Sequence, residues 1–492
     1  MKNLWNETEA AGSEGALGLC VYASRLLGRE PSLVLYGGGN TSVKIDDLLY
    51  VKGTGSDLAL VDESDFTPLY LDCVRGLPES EVDTPAGMMR LLDGCIARRP
   101  ALRPSVETML HAALPFTYVE HTHAYSVLAA TSVENSEQVA AELYGELAPL
   151  VPYRHSGSEL ARQCAAAFHN HSTKKTIGLV LAFHGAVAFG NSARESYENM
   201  IRLITLAEDY LKAKGAWDLE VATSACPEPD RIALAKLRAH ASRAAGSPLI
   251  MRTLNDPLCL AFVRRADLQA VSQQGPATPQ HAIYTKRVPQ LGRDVDAFAQ
   301  RYREYLERHL GGAASGRIDP APRIILDPEL GVCALGVNTD SATRAAEVYR
   351  RDIEVISRAS AHSAYRAAPE GEIARAELDY GGFEIVLRAR VARDQPLLGQ
   401  IALVTAGAAQ CDPTLAARLA AQGAAVMMAG AASPDTMLDE IAVTYGGLDQ
   451  VYATGTDDRW RSAAAALLHH SPVGGRIVTV EAGGIVEDGR SA

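Results

Sequence analysis

Tyr118-Val119-Glu120-His121-Thr122-His123 is the stretch that decides how the first part of this chain folds. Tyr118 to Glu120 reads as β-like, and an H-x-H pair on an extended segment puts both imidazoles on one side, because side chains two apart share a face. A third histidine, His184, leaves the end of another β-like run, Thr176 to Phe183, and is followed by Gly185. Three neutral nitrogens suit Zn²⁺ or another divalent transition metal with a coordination position left open. Two more pieces extend the pattern. One is the glycine-rich Gly37-Gly38-Gly39-Asn40-Thr41-Ser42; the other is Pro104-Ser105-Val106-Glu107, running into His111. Glu107 is expected on a separate helix, free to move a proton. The fixed φ of Pro104 suits a first helical turn, and the N–H groups before Asn40, with Ser105 at a helix start, suit a phosphate. His111 is expected to be a core or supporting group rather than a ligand, and His155, His169 and His171 surface or local hydrogen-bonding groups.

Outward from these pieces the first part alternates β-like runs (Ser32 to Tyr36, Leu48 to Lys52, Tyr118 to Glu120, Thr176 to Phe183) with helical ones (Ser13 to Leu27, Pro85 to Arg98, Ser158 to Asn170, Ser192 to Lys214). Ser192 caps the last of these, and Tyr197 and Tyr210 on it read as packing residues. A second region shows helical patterns at Arg231 to Arg243 and Val295 to His309, a hairpin from Arg323–Leu326 to Val332–Gly336, and a helix over Ser341 to Ala359. Between its first two helices, two prolines and a glycine in Gly275-Pro276-Ala277-Thr278-Pro279-Gln280-His281 predict a loop of defined shape that continues through Tyr284 to Arg287. The third region opens with strand Ile401 to Thr405, helix Thr414 to Gln422 and strand Ala424 to Met428, a βαβ order typical of nucleotide-binding folds. Its phosphate loop is broken: Ala406-Gly407-Ala408-Ala409-Gln410-Cys411-Asp412-Pro413 adds bulk, and Asp412 is expected to put a negative charge where a pyrophosphate would sit.

At 492 residues the chain is long enough for two or three domains. A charged fraction of 22% and an apolar fraction of 47% are those of an ordinary globular protein, and the net charge of −12 argues against nonspecific nucleic-acid binding. Eight singly scattered cysteines indicate neither a zinc ribbon nor a disulfide framework, so a reducing compartment is expected. Met1 to Ala11 is acidic and polar without an apolar core, and no stretch is long enough to span a bilayer, which predicts a cytoplasmic protein without membrane association.

The glycine-rich turn continued to Lys44, Val51-Lys52-Gly53-Thr54-Gly55-Ser56-Asp57-Leu58, and the Gly275 to His281 segment resemble the class II aldolase/adducin family. Over nearly all its length the chain is similar to that family's bifunctional rhamnulose-1-phosphate aldolase/alcohol dehydrogenase group, in which a short-chain dehydrogenase part follows the aldolase. The resemblance implies an α/β protein: a three-layer α/β/α catalytic domain over 1–230, an α+β region over 231–394, and a truncated Rossmann-like domain over 395–492. It implies His121, His123 and His184 as metal ligands and Glu107 as acid/base. Gly39, Asn40, Thr54, Gly55 and Ser105 would lie around a substrate phosphate, although Gly37 and Val106 stand where the fuculose-type pattern offers hydroxyls. Thr278, His281 and Lys286 would belong to an active-site loop over 275–287, with Lys286 meeting the phosphate. The implied reaction is cleavage of a ketose phosphate of the rhamnulose or fuculose 1-phosphate kind through a Zn-stabilised enediolate, in a homo-oligomer, dimer or tetramer, acting on a small sugar phosphate or sugar acid. Alternatives are a dehydratase, epimerase or decarboxylase of the same fold, a non-catalytic adducin-like scaffold, or an NAD-dependent short-chain dehydrogenase. Against the last, residues 395–492 contain no Tyr-x-x-x-Lys and the phosphate loop lacks its glycines, so no NAD-binding residues are expected.

Overall fold

In the computed structural model, which describes residues 1–36, 38–79, 85–219, 221, 228, 230–312, 318–381, 394–430, 432–482 and 484–486, the histidine-bearing stretch is a fully buried central strand. It belongs to a unit made of Met1–Leu219 and Glu354–Ala368. The strands of this unit are β1 (Asn40–Ile45), β2 (Leu48–Lys52), β3 (Phe66–Tyr70), β4 (Tyr118–Thr122), β5 (Leu150–Val151), β6 (Gly178–Leu181) and β7 (Gly185–Gly190). They form one sheet in the order β3-β2-β1-β4-β7-β6-β5, antiparallel except for β5 with β6.

Both faces of this sheet are covered. Val43 and Tyr118 pack with Cys20 and Val21 of helix Gly15–Gly28 and with Ala193, where helix Ala193–Ala213 begins. On the opposite face Val119, Leu179, Leu181 and Val187 pack with Leu110 and Leu114 and with Leu160 and Cys164 of helix Ser158–His171. The result is the expected α/β layering. His121 has the parity of Val119 along β4, so it is directed to the face shared with Leu110, the side from which Glu107 approaches.

Two local expectations need correction. Ser32 to Tyr36 is not a strand: its bonds are local, with Leu33 N–H donating to Glu30 O at 2.9 Å, and Tyr36 has φ 51°. Leu33 and Val34 are buried, so their apolar run reflects packing beneath the glycine turn and not sheet pairing. Helix Pro85–Gly94 ends short of Arg98 because the chain then runs beside β3, where Ile96 bridges Leu69 and Tyr70 N–H donates to Cys95 O at 2.9 Å. That return brings Cys95 to Cys73, and the two form a disulfide across a separation of 22 residues, although the scattered spacing of the cysteines indicated no disulfide framework.

The second unit comprises Glu220–Ile353 and Pro369–Ala492. One sheet contains β8 (Ile250–Leu254), β9 (Gln290–Leu291), β10 (Ile324–Asp327) and β11 (Gly331–Gly336) in the order β8-β11-β10-β9, with the expected hairpin between β10 and β11. The other contains β12 (Ile401–Val404), β13 (Ala425–Met428), β14 (Gln450–Ala453), β15 (Arg476–Glu481) and β16 (Gly484–Val486) in the order β13-β12-β14-β15-β16, the first four parallel. Residues 231–394 and 395–492 share one core, in which Ala235, Ile250 and Ala342 pack with Ile401, Leu403 and Leu438. A buried ion pair joins the same two stretches: Arg238 Nη2 lies 2.6 Å from Asp449 Oδ2. None of the described helices is long and apolar enough to cross a membrane.

Candidate metal centre

Three backbone devices bring the histidines together. β4 and β7 are paired so that His121 stands opposite Val187 and Thr122 opposite Ala186. The β6–β7 hairpin turns through Ala182, Phe183 and His184, with Phe183 at φ 55°. Gly185 follows at φ 141°, where a Cβ would meet Thr122 O at 2.1 Å and His123 Cα at 3.0 Å. Only glycine lets β7 start this close to β4. On the other flank Gly39, at φ 67°, lies where a Cβ would be 2.7 Å from His121 O, and the next residue, Asn40, pairs directly with His121.

The product is a buried cluster in which one ligand atom from each of His121, His123 and His184 lies within 4.8 Å of the others. His121 Nδ1 lies 3.0 Å from Ala186 O. Donation to that carbonyl leaves the lone pair on Nε2, a buried nitrogen without a hydrogen-bond partner among the described residues. Burial depresses the His121 pKa to about 4, against a counteracting pull from Glu107, so this imidazole is neutral at pH 7 as a ligand must be. The donor set and its tautomer fit a borderline divalent metal.

Glu107 is buried against the cluster, with Oε1 3.0 Å from His184 Nε2 and Oε2 3.7 Å from His121 Nε2. Its remaining partners are Asn40 Nδ2 at 2.6 Å and Ser156 Oγ at 3.0 Å. Burial acts to raise its pKa, but His121 and His184, the hydrogen bond to His184 and then His123 outweigh it and hold the carboxyl well below the usual range. Glu107 is not inside a helix as expected; it is the residue before helix Thr108–Ala113. Pro104 bridges Gly53 antiparallel to it, and Thr54 N–H donates to Arg103 O at 2.8 Å. Pairing at this edge, rather than a proline-led helical turn, sets the angle at which Glu107 is presented.

Residues 19–211 match the family model described as class II aldolase and adducin N-terminal domain, and residues 229–385 match that of aldolase class II, second domain. The chain belongs to the class II aldolase/adducin family. It is 27% identical over 488 residues to the uncharacterized oxidoreductase YuxG of Bacillus subtilis, a match spanning 92% of this chain and 69% of that protein. Among solved structures, it is 33% identical to the N-terminal class II aldolase domain of a conserved protein from Thermoplasma acidophilum, covering 43% of this chain and 99% of the other with a TM-score of 0.39. An L-fuculose-1-phosphate aldolase from Thermus thermophilus is 20% identical, covering 39% and 95% with a TM-score of 0.28.

The other predicted site residues of this class II aldolase relative fall into separate places. Gly39 and Asn40 adjoin the cluster, and Ser105 Oγ accepts from Glu107 N–H at 3.2 Å. Thr54 Oγ1 donates to Pro104 O at 3.1 Å, and Gly55, at φ 90°, has open space where a Cβ would stand. Gly37 lies outside the described residues. Thr278, His281 and Lys286 belong to the second unit, where His281 Nδ1 is 2.8 Å from Asp352 Oδ1. The Lys286 ammonium there donates to Asp319 O and sits 4.2 Å from the Tyr302 ring centroid. Asp412 does not face the nucleotide-type turn. It pairs with Arg418 at 2.7 Å, and the carboxylate at the start of helix Ala406–Cys411 is Asp457, which accepts from the Thr405 hydroxyl at 2.8 Å and from Thr454 N–H at 2.9 Å.

Sequence reasoning missed Ser156 and Lys52. Ser156 is a lone serine in a loop and carries no signal. Lys52 is buried, donates to Ser56 O at 2.7 Å and to Gly39 O at 3.4 Å, and so ties the glycine turn to the Thr54–Ser56 loop; burial brings its pKa down to about 8. Its position at the end of an alternating strand gave no cue that the ammonium turns inward.

Proposed function

We propose that the first unit is the active site of a divalent-metal-dependent aldolase that cleaves a ketose phosphate, with Glu107 as acid/base. The observation that supports it is the buried histidine triplet lying against an ionised, hydrogen-bonded carboxylate. A divalent cation held by His121, His123 and His184 supplies Lewis acidity for negative charge developing on substrate oxygens. Glu107 takes the proton from the carbinol carbon in the condensation direction and returns it in cleavage. The bonds from Asn40 and Ser156 keep its oxygens in place, and the nonpolar packing around Leu110 and Val119 excludes water from that side. Thr54, Gly55 and Ser105, on loops joined by the Thr54–Pro104 bond, receive the phosphate.

The test is proton exchange, which does not require the aldehyde to be known. Zn²⁺-loaded protein in D₂O is expected to exchange one carbinol proton of dihydroxyacetone phosphate, followed by NMR. His121→Ala should lose both the metal, read by mass spectrometry, and the exchange. Metal-bound wild type that exchanges no proton of dihydroxyacetone phosphate would refute the aldolase assignment.

A further inference from the structure

Behind Glu107 a file of buried side chains leads away from the metal cluster. Asn40 Nδ2 donates to Glu107 Oε2 at 2.6 Å, Asn40 Oδ1 contacts His111 Nε2, and His111 Nδ1 lies 2.8 Å from Ser42 Oγ. Ser42 and His111 are fully buried and Asn40 is nearly so. The directions follow from the Asn40 amide. Its NH₂, which only donates, lies on Glu107 and its oxygen, which only accepts, lies on His111. His111 Nε2 must then carry hydrogen. Burial, with a contribution from His121, holds the His111 pKa down to about 3 against the pull of Glu107 and of the Val119 carbonyl, so the ring is neutral; with its hydrogen on Nε2 facing Asn40, Nδ1 is left to accept from the Ser42 hydroxyl.

We propose that Ser42 and His111 are positioning residues that hold the Asn40 amide in the one orientation that donates to Glu107. This rests on the reading of Glu107 as the acid/base. An Asn40 amide turned the other way would set its oxygen against the carboxylate at 2.6 Å, and Glu107 would be left to Ser156 and the imidazoles. Ser42 acts two side chains away and touches neither the carboxylate nor the histidine triplet. On its strand it is followed by Val43, so a serine there reads from sequence as an ordinary strand residue.

Two measurements decide this. In wild-type protein labelled with ¹⁵N-histidine, with His111 assigned by His111→Phe, the His111 ring should be the neutral Nε2–H tautomer at pH 7 and remain neutral at pH 5. An Nδ1–H tautomer or an imidazolium overturns the proposal, whatever the variants do. Ser42→Ala should bind Zn²⁺ at the wild-type stoichiometry and keep its KM for dihydroxyacetone phosphate. Its exchange rate should fall at least about tenfold, a part of the roughly 10²–10⁴ that a positioned acid/base contributes, with Ser42→Thr recovering most of it. An unchanged rate in Ser42→Ala, or a rate lost only together with the metal, overturns the positioning role. If wild type catalyses no exchange, the aldolase reading fails by itself. Loss of the Nε2–H tautomer in Ser42→Ala would still support the hydrogen-bonded file, and its retention there would refute it.

Discussion

Removing the Asp449 carboxylate should unfold the second unit at much lower denaturant. Arg238 is 1% and Asp449 0% exposed, and their two-pronged contact measures 2.6 and 3.1 Å. Asp449 also accepts from Ile401 N–H at 2.8 Å and from Ser471 Oγ at 2.7 Å. Arg238 itself donates to Leu249 O at 2.6 Å and Gly399 O at 3.0 Å. In Asp449→Ala the guanidinium keeps its two carbonyls but stays buried without a counter-charge, which costs about 3–5 kcal/mol. The stranded Ile401 N–H adds to that unless water reaches it. With an m-value of about 3 kcal/mol/M in urea, the midpoint should fall by roughly 1–1.7 M. Trp460, 1% exposed, is the tryptophan of this unit, so Trp5→Phe with Trp217→Phe makes fluorescence report on it alone. The double variant Arg238→Met/Asp449→Leu removes both charges and should stand within about 2 kcal/mol of wild type. A shift under about 0.3 M for Asp449→Ala, or a double variant as unstable as the single, would refute the argument that an uncompensated charge is the cause.

Gly185→Ala should lower stability by roughly 2–4 kcal/mol and reduce metal content, because its Cβ collides with Thr122 O at 2.1 Å and forces β7 from β4; normal melting and full metal loading would count against that packing account. Burial raises the Glu377 pKa from 4.5 to about 7, against the pull of Lys286, the Arg287 N–H and the hydroxyls of Tyr302 and Tyr305. The folded chain thus keeps a proton that the unfolded chain releases. The stability this gives is complete below about pH 4.5 and is lost as pH rises through 7, by about 3 kcal/mol in all. Glu377→Gln should flatten the dependence of the urea midpoint between pH 5 and 8, and an unaltered slope would exclude Glu377 as its source. Unreduced, denatured protein should titrate two thiols fewer than the reduced form, because of the Cys73–Cys95 bond; equal counts would remove it.

What the sequence shows of the site is what period and spacing can carry. The His121/His123 pair on one side of a strand, the third histidine after an apolar run and the nearby acid are local statements, and the structure brings those four side chains together. The helix from Ala193 was equally legible from its cap and periodicity, and those from Gly15 and Ser158 from their helical patterning. The misses are relations between distant residues. Leu33 and Val34 look like strand because they are buried, yet the left-handed Tyr36 takes the chain out of the sheet. Cys73 and Cys95 meet only because the chain returns along β3. Asp412 was the acid nearest the broken phosphate loop in sequence, but the fold puts Asp457 there from the far side of β14. The Ser42–His111–Asn40 file joins residues about 70 positions apart, a reach that no window of sequence spans.

The β1–β4–β7 ladder has a further consequence for how this chain finds its native pairing. His121 stands opposite Asn40 on one side and Val187 on the other, so a one-residue slip of β4 would turn His121 to the opposite face of the sheet. A cation that needs His121, His123 and His184 together would therefore bind only the correctly registered sheet, and its binding free energy would be withheld from every slipped alternative. The ion would act as a proofreader of strand alignment as well as a reagent, so refolding without metal should leave a larger share of misaligned chains than refolding with it.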